Sequence, residues 1–585
     1  MREANFGDFP KGIVYFIEAM RAWLYNGHPF EALKFEKILK EIKDEAEQGY
    51  FEKLLKKYFL NNGHKVTIVL KPNNTLEEEQ NNIEEKKLFE IKSKFNDREL
   101  ENLIQESIKL EELQIAPNSK ESLASLPKLA LSDIEIEPIV YPTEKLNIGG
   151  VPLLFHNINS NGIIYFTIAF DFSDIDEKTL PFISILASLF KFLGSENRSS
   201  EEIEQELNIY TGGIELSKYI TEHSKNGSII NRLMISGKSS ISGFEKLRSI
   251  ILELCTTLNC RNVSKIKEIV LKKLNEMRNS ILSSGHITVI SRIGYHLSEA
   301  GKRQEIMNGI VYYKFLEELL KLLDSNPEKV FEMIEYVKNI VFSKERAIIN
   351  VTCSIENFEE INESLNRFAI ELRKNEVNNK IISPIELEIP EKNEAFVAAT
   401  KVQYVGLGFN LKNIGYNKNG KIYVAKRIID IDYLWQNIRL KGGAYGGFSS
   451  YDSMSQEWRF ISYRDPNLLE SLNVYKKCAD FLKGFKIEKA ELEKSIIGAF
   501  QPMEKPILPD KAGLRELYRY LTGITINDLR TEREQIISTT VEDINFLGDI
   551  FEKGTADAVS AVIGNREKID KNRKLFKEIK NLFTN

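Results

Sequence analysis

The sequence predicts an α+β fold: two homologous α/β-sandwich domains, preceded by the tail of a third and by a helical hairpin linker. Three observations lead there. The chain has 585 residues, too many for one hydrophobic core, so several compact units are expected. Its prolines cluster at Pro117, Pro127, Pro138, Pro142 and Pro152 and again at Pro384 and Pro390, with none between Pro181 and Pro327. Proline is excluded from helix interiors and central strands, so the clusters mark connections between units. Finally, one order of strands and helices runs twice along the chain, the signature of a duplicated two-layer module. The resulting division is residues 1–74, 75–130, 131–380 and 381–585.

The opening segment is helical. From Lys11 to Tyr25 the apolar residues Ile13, Phe16, Ile17, Met20, Trp23 and Leu24 recur at three- and four-residue spacing and form one stripe. A second helix is expected from Pro29 through Leu60, with Pro29 in its first turn. Val66, Ile68 and Leu70 then alternate with Lys65, Thr67 and Lys71, a strand that Pro72 ends. Two helices and one strand cannot bury their own apolar faces. This opening is therefore expected to be the end of a longer domain, with Met1 an internal methionine.

Thr75 to Leu113 carries twelve acidic and six basic residues, yet Leu100, Leu103, Ile104 and Ile108 keep a helical face. Asn96-Asp97 offers a turn and cap, so a helical hairpin is expected rather than a disordered acidic spacer. The first repeated module has strands near 151–157 and 162–170, helices near 179–193 and 199–210, and Gly212-Gly213. Two strands to about 237, several helices, a strand ending near Cys353 and a helix to about Arg373 complete it. The second module has strands near 394–411, a helix from about 417 to 438, Gly442-Gly443, paired strands to Tyr463, helices, and a strand from Ala558 to Ile563.

Composition removes several function classes. Eighty Lys+Arg stand against 85 Asp+Glu, a net charge of -5, so no basic excess exists to neutralise a phosphate backbone and nucleic acid is not expected as a partner. Cys255, Cys260, Cys353 and Cys478 form no C-x-x-C pair, and four cysteines are too sparse for a disulfide framework. They are expected as buried thiols in a reducing compartment. No apolar run approaches the length a membrane span needs. Glu18 interrupts the first apolar stretch, and Glu3 and Asp8 are out of place in a transit peptide. The expectation is a soluble protein with no address.

Six histidines are available: His28, His64, His156, His223, His286 and His296. A helical zinc site needs two histidines on one helix face with a glutamate base. His296-Leu297-Ser298-Glu299-Ala300 has the first histidine and the glutamate but alanine in place of the closing ligand. His296 is expected to be structural, and His286, after Gly285, to cap or pack. No metal site is expected on this chain.

Gly442-Gly443-Ala444-Tyr445-Gly446-Gly447 is the densest glycine cluster. No G-K-[ST] follows, so it is not a phosphate loop; it enters a strand pair, where glycine lets another backbone approach. Arg439 ends a helix six residues before Tyr445. An arginine presents a charged fork to carbonyl or carboxylate oxygens, and a tyrosine hydroxyl can donate to a developing oxyanion. Spacing alone favours the blander account, a helix C-terminal charge and a packed strand aromatic. No G-x-S-x-G elbow surrounds a serine, so no nucleophilic triad is assembled.

The stretch LWQNIRLKGGAYGGFSSYDSMSQEWRFISYRDPN from Leu434 to Asn467 resembles the C-terminal half of the pitrilysin/insulinase superfamily of zinc metallopeptidases, in its presequence protease and falcilysin branch. Gly285-His286 with Arg292, Gly309 to Leu316, Pro509-Asp510-Lys511, and the opening Arg2 to Gly7 with Pro10-Lys11-Gly12 agree with it, in family order along the whole chain. The resemblance implies two metallopeptidase-type domains, the family's third and fourth, after the end of the second and the hairpin that joins two clamshell halves. It implies that zinc sits on an inverted H-x-x-E-H motif in the N-terminal half, absent here.

It further implies that Arg439 and Tyr445 reach the scissile peptide as catalytic and substrate-binding residues, with Gly442 and Gly443 lining the substrate. The expected partners are the N-terminal catalytic half, on the same longer chain or as a separate subunit, and unfolded peptides, with no nucleic acid and no membrane. This chain alone would be inactive. The alternative is a separate non-catalytic subunit that binds peptides or scaffolds a heteromeric peptidase. The abundance of Asn, Lys and Ile suggests a bacterial cytoplasm, with an organelle matrix as the second choice.

Overall fold

The computed structural model describes residues 11–71, 76–115, 119, 121–122, 125–374, 381–505 and 507–583. The segment Arg2–Gly7 and Pro10, Pro72 and Pro117 lie outside the described residues. The chain divides into two compact units, one of Phe6–Leu129 and one running from Ala130 onward.

The larger unit contains two six-stranded sheets. The first is built from β1 (Glu144–Ile148), β2 (Val151–Asn157), β3 (Ile163–Asp171), β4 (Thr211–Glu222), β5 (Ile229–Ser240) and β6 (Ala347–Cys353), in the order β1-β2-β6-β3-β5-β4. The second is built from β7 (Glu394–Val397), β8 (Tyr404–Asn410), β9 (Gly446–Asp452), β10 (Glu457–Tyr463), β11 (Val559–Gly564) and β12 (Glu578–Asn581), in the order β12-β7-β11-β8-β10-β9. Five positions correspond one to one, and in both sheets one parallel pair (β2–β6, β7–β11) abuts an antiparallel run. The sixth strand differs. In the first sheet β1 comes from the N-terminal side and pairs antiparallel with β2, while in the second β12 comes from the C-terminal end and runs parallel to β7.

Central strands read as unbroken apolar runs because both of their faces are covered. Every residue of β6 and β8 is buried. Each sheet owes part of that cover to the other module. The Gly285–Gly294 helix, from the first module, lies on β8, β10 and β11 of the second sheet. The Pro509–Thr522 helix, from the second module, lies on β2 and β6 of the first. Leu517 there is buried among Leu154, Ala169, Met234 and Ile348, and Tyr518 stacks on Tyr219 with centroids 4.2 Å apart. Both contacts are close enough to require glycine. A Cβ on Gly406 would strike Val289 and Ile293, and one on Gly513 would strike Thr352.

An ionic cluster fastens the same junction. Arg292 on the Gly285–Gly294 helix donates to Glu394 of β7 at 2.6 and 3.1 Å, to Glu305 at 3.2 Å and to Glu388 at 2.9 Å. Arg292, Glu305 and Glu394 are buried. Lys580 of β12 adds bonds to Glu388 and Glu394 at 2.7 and 3.2 Å. Burial alone would lower the arginine's proton affinity, but the charges of Glu305 and Glu394 outweigh it and hold the guanidinium charged.

The smaller unit is helical. Its first helix is Lys11–Trp23. The single helix expected from Pro29 to Leu60 is instead broken: a short turn at Glu31–Leu33, a helix at Glu36–Ala46, and a second at Tyr50–Leu55 that continues as a π segment to Leu60. The break falls at Gly49, whose φ of 74° takes the chain out of the right-handed region. The strand expected at residues 65–71 is absent. Its alternating side chains are there, but a strand forms only by pairing and no ladder partner occurs among the described residues. Helices Leu76–Lys92 and Asp97–Ile115 form the hairpin. Asn96 caps the second, its Oδ1 accepting from Glu99 N at 2.9 Å while Glu99 Oε2 accepts from Asn96 N at 2.9 Å.

Candidate functional site

The helix that begins at Lys421 changes character after Ile428, and Ile429–Leu440 winds as a π-helix. Twelve residues is long for this conformation, which usually occurs as a single-turn bulge at a functional site. Arg439 lies in its last turn and is half-buried. The end is closed by two nested hydrogen bonds, Gly443 N to Arg439 O at 2.9 Å and Ala444 N to Ile438 O at 3.1 Å. This is a glycine cap one residue wider than in an α-helix, with Gly443 in the left-handed region at φ 74°. Gly442 O accepts from Asn467 Nδ2 at 2.6 Å, which ties the turn to the loop after β10.

The turn delivers Tyr445 to the mouth of β9, where 66% of it is exposed. A packed strand aromatic would be buried, so that account of Tyr445 fails. Its backbone N–H reaches the carbonyl of Arg464 at 3.4 Å, and its ring meets Tyr463 edge-on, centroids 5.6 Å apart. The guanidinium of Arg439 lies 4.1 Å from the Trp435 ring centroid and 5.9 Å from that of Tyr445. Arg464 lies 5.3 Å from the Tyr463 ring. Neither arginine is ion-paired with a carboxylate among the described residues. Arg464 has φ 49°, a left-handed conformation that costs a non-glycine residue about 1–2 kcal/mol.

Beneath Tyr463 sits His286. Its ring contacts Tyr463, Phe448 and Tyr404 at centroid distances of 4.7, 5.8 and 6.3 Å, so it packs, and burial lowers its proton affinity. Gly285 permits this, since a Cβ there would strike the Tyr404 ring. Sequence reasoning missed Trp435, Tyr463 and Arg464. All three lie inside the Leu434–Asn467 stretch, so the signal was present but carried no chemical pattern of its own.

The first module provides an internal comparison. Gly212-Gly213 lie inside β4, at its bulge between Thr211 and Ile214, whereas Gly442-Gly443 lie in the turn before β9; counted from the glycine pair, the residues three before and two after are Ile209 and Glu215 in the first module and Arg439 and Tyr445 in the second.

Two other histidines are hydrogen-bonded away from this site. His156 Nε2 faces Asn350 Oδ1 at 2.7 Å and Nδ1 faces Pro142 O at 3.1 Å. His296 Nε2 faces Glu391 O at 3.2 Å. Among the described residues no group of three or more His, Cys, Asp or Glu side chains is placed to hold a metal ion. No described helix is long and apolar enough to cross a membrane. The four cysteines are free and buried.

The associated region of peptidase family M16, subfamily C, matches residues 70–319, and the PreP C-terminal domain matches residues 393–565. Protein HypA of Clostridium perfringens is 30% identical over 583 residues, spanning 100% of this chain and 59% of that protein. Presequence protease 1, chloroplastic/mitochondrial, of Arabidopsis thaliana is 30% identical over 575 residues, spanning 97% of this chain and 53% of that protein. The chain thus spans little more than half the length of these relatives. Among solved structures, a conserved protein from Enterococcus faecalis superimposes with a TM-score of 0.54 at 14% identity, covering 73% of this chain and 99% of that one. A protease from Helicobacter pylori superimposes with a TM-score of 0.51 at 14% identity, covering 73% and 100%. At these identities the structural likeness establishes the fold.

Proposed function

Because this chain corresponds to the C-terminal half of a presequence-protease-like M16 peptidase, we propose that it supplies substrate clamping and oxyanion stabilisation to a metalloendopeptidase of unfolded peptides. The observation that carries this reading is the Arg439–Tyr445 pair. A guanidinium without a carboxylate partner among the described residues and an exposed phenol share one surface, at the glycine turn that leads into β9.

In the proposed mechanism the Tyr445 hydroxyl donates a hydrogen bond to the carbonyl oxygen of the scissile peptide. That bond strengthens as the oxygen gains negative charge at the tetrahedral stage, which lowers the barrier rather than merely tightening binding. Arg439, oriented by Trp435, donates to a substrate backbone oxygen and fixes the ring it faces. Gly442, whose missing side chain faces the end of its own helix, and Gly443, which holds the left-handed turn, set the course of the backbone along which the peptide is proposed to lie. M16 peptidases use zinc, and the residues described here do not fit that metal: His156 and His296 are hydrogen-bonded to neutral oxygens, and among the described residues no group of three or more His, Cys, Asp or Glu side chains is placed to hold it. We place the zinc on the other half, and no step is assigned to it.

That half is the proposed partner, on the same chain or as a separate subunit. The unit Phe6–Leu129 supports this, since its helices Glu36–Ala46 and Tyr50–Leu55 have no buried residue and Trp23, Leu24, Tyr58 and Phe59 are exposed. Apolar surface of that extent marks an interface. We assign the protein to a bacterial cytoplasm, in keeping with the Clostridium relative; the organellar relative makes a matrix the second choice.

The test is reconstitution. The 585-residue chain alone should release no product from a fluorogenic unfolded peptide. Supplied with an N-terminal half bearing the zinc motif, it should restore chelator-sensitive cleavage. Chelator-sensitive cleavage by the isolated chain would end this reading, and peptide binding without cleavage in the reconstituted pair would favour the non-catalytic subunit.

A further inference from the structure

β4 is the edge strand of the first sheet, and its side chains divide cleanly. Tyr219 points to one face and stacks on Tyr518. Ile214, Leu216, Lys218 and Ile220 point to the other, toward the helices of their own module, and all but Lys218 are apolar. A lysine in that row needs a reason. Its ammonium donates to Ser184 Oγ at 2.8 Å and to the carbonyl of Met307 at 3.1 Å, and lies 5.7 Å from the ring centroid of Tyr312. These partners are neutral. No carboxylate pairs with Lys218 among the described residues, and the charge that acts on it is a second cation, Lys273.

Tyr312 has a matching deficit. It is 2% exposed, and its hydroxyl has no hydrogen-bond partner. The Ser188 hydroxyl, which gives its own proton to Ser184 O at 2.9 Å, is the nearest acceptor but stands outside hydrogen-bond geometry. Lys218, Tyr312 and Ser188 line one cavity of about 430 Å³, together with Asn308 and with Lys273 and Glu276, which reach solvent. A half-buried cation without counter-charge and a buried phenol whose hydroxyl makes no hydrogen bond are each costly. One anionic group relieves both.

We propose that this cavity is a binding site for a monocarboxylate, one oxygen accepting from the Lys218 ammonium and the other from the Tyr312 hydroxyl. Glu276, 3.7 Å from Lys273, sets a negative charge beside the entrance, which disfavours a multiply charged anion. The space exceeds what a bare inorganic ion fills, so the carboxylate carries an organic group: a small free acid or the C-terminus of a peptide. The site stands apart from the proposed role of Arg439 and Tyr445, being built on the first sheet, and does not depend on that role. Burial, with the charge of Lys273 adding to it, pulls the Lys218 amine down to about 7. The carboxylate favours its protonated form, so binding strengthens as pH falls from about 8 to about 6. Of the other groups facing the amine, the Tyr312 phenol is held far above that window by burial, and Lys273 and Glu276 lie on the solvent side.

The test uses the full chain with butyrate, Ala-Ala-Ala and its C-terminal amide as probes. Lysines are acetylated with an N-hydroxysuccinimide ester at about pH 7.5, and Lys218 labelling is followed by peptide mass spectrometry. Butyrate or the tripeptide acid at about 10 mM should slow labelling of Lys218 about fivefold and leave surface lysines unchanged. In calorimetry, Lys218→Met should weaken binding about tenfold or more, since the bond lost involves a charged group, and Tyr312→Phe less. Protection by the tripeptide acid alone assigns the site to peptide ends, and protection by butyrate alone assigns it to free acids. No protection by either, equal protection by the amide, or unchanged affinity in Lys218→Met overturns the proposal. If that variant fails to fold, the labelling of the unaltered chain still decides.

Discussion

Arg439 holds its guanidinium between two aromatic rings, 4.1 Å from the centroid of Trp435 and 5.9 Å from that of Tyr445, and pairs with no carboxylate among the described residues. Ring faces orient an arginine without using up its N–H donors. The fork therefore stays available for an incoming oxygen, while a salt bridge would have consumed it. Tyr445 is braced in turn by Tyr463, edge-on at 5.6 Å, so an exposed side chain keeps a defined direction without burial. The arrangement depends on the π-helix, whose widened turn sets Arg439 at the glycine cap that leads into β9.

Tyr445→Phe removes one hydroxyl from an exposed ring and should leave folding intact. In the reconstituted peptidase it should lower kcat about 100- to 1000-fold with KM little changed, the pattern for a bond made mainly in the transition state. Steady-state kinetics on an unfolded peptide measures this. A loss below about threefold would demote the tyrosine to a surface aromatic. Glu215→Ala, two residues after the glycine pair of the first module, should have no effect.

Arg439→Lys keeps the charge but loses the planar fork and its stacking on Trp435. If Arg439 clamps backbone oxygen and orients Tyr445, lysine should rescue little, with kcat/KM down at least about tenfold and within a few-fold of Arg439→Ala. Near-complete rescue by lysine would mean that only the positive charge matters.

The sequence made the duplicated module legible because its strands are apolar runs of the right length between glycine and proline breaks. It did not reveal which sheet each helix covers. The stripes of Gly285–Gly294 and Pro509–Thr522 show that an apolar face exists, and nothing local says that it packs on the other module. β1 was missed although Gly149-Gly150, with φ 55° and 85°, is a two-residue hairpin signal, because the surrounding prolines read as linker. β12 was missed because a four-residue edge strand with the sequence EIKN carries little apolar pattern. Arg439 and Tyr445 were found through resemblance; spacing by itself favoured a structural account. The π winding has no sequence signature distinct from an α-helix, and nothing in the residue type of Arg464 signals its left-handed backbone.

Arg292 bridges the two modules through carboxylates contributed by both. Arg292→Met should leave Glu305 and Glu394 buried without their main counter-charge and cost about 3–5 kcal/mol. Denaturant unfolding would register this as a lower midpoint. Glu394→Gln should cost less, because Glu305 and Glu388 still compensate Arg292. If Arg292→Met unfolds at the unaltered midpoint, the junction is held by its apolar contacts and the cluster is incidental to stability.

Lys218 makes stability depend on pH in a direction opposite to that of a salt-bridged lysine. Its amine is held at about 7 in the folded chain against an ordinary 10.5, so between those values the unfolded chain binds the extra proton. Stability then rises with pH across that window; below about 7 both states are protonated and the full penalty of the half-buried cation is present. Lys218→Met removes this dependence and leaves other titrations in place. The difference in unfolding free energy between variant and unaltered chain should therefore favour methionine most at about pH 6 and shrink by about 2 kcal/mol at about pH 9, after allowing for water entering the cavity. Paired denaturant unfolding at the two pH values measures it. A difference that does not change with pH would show the amine charged throughout and remove the electrostatic strain from which the carboxylate site was inferred.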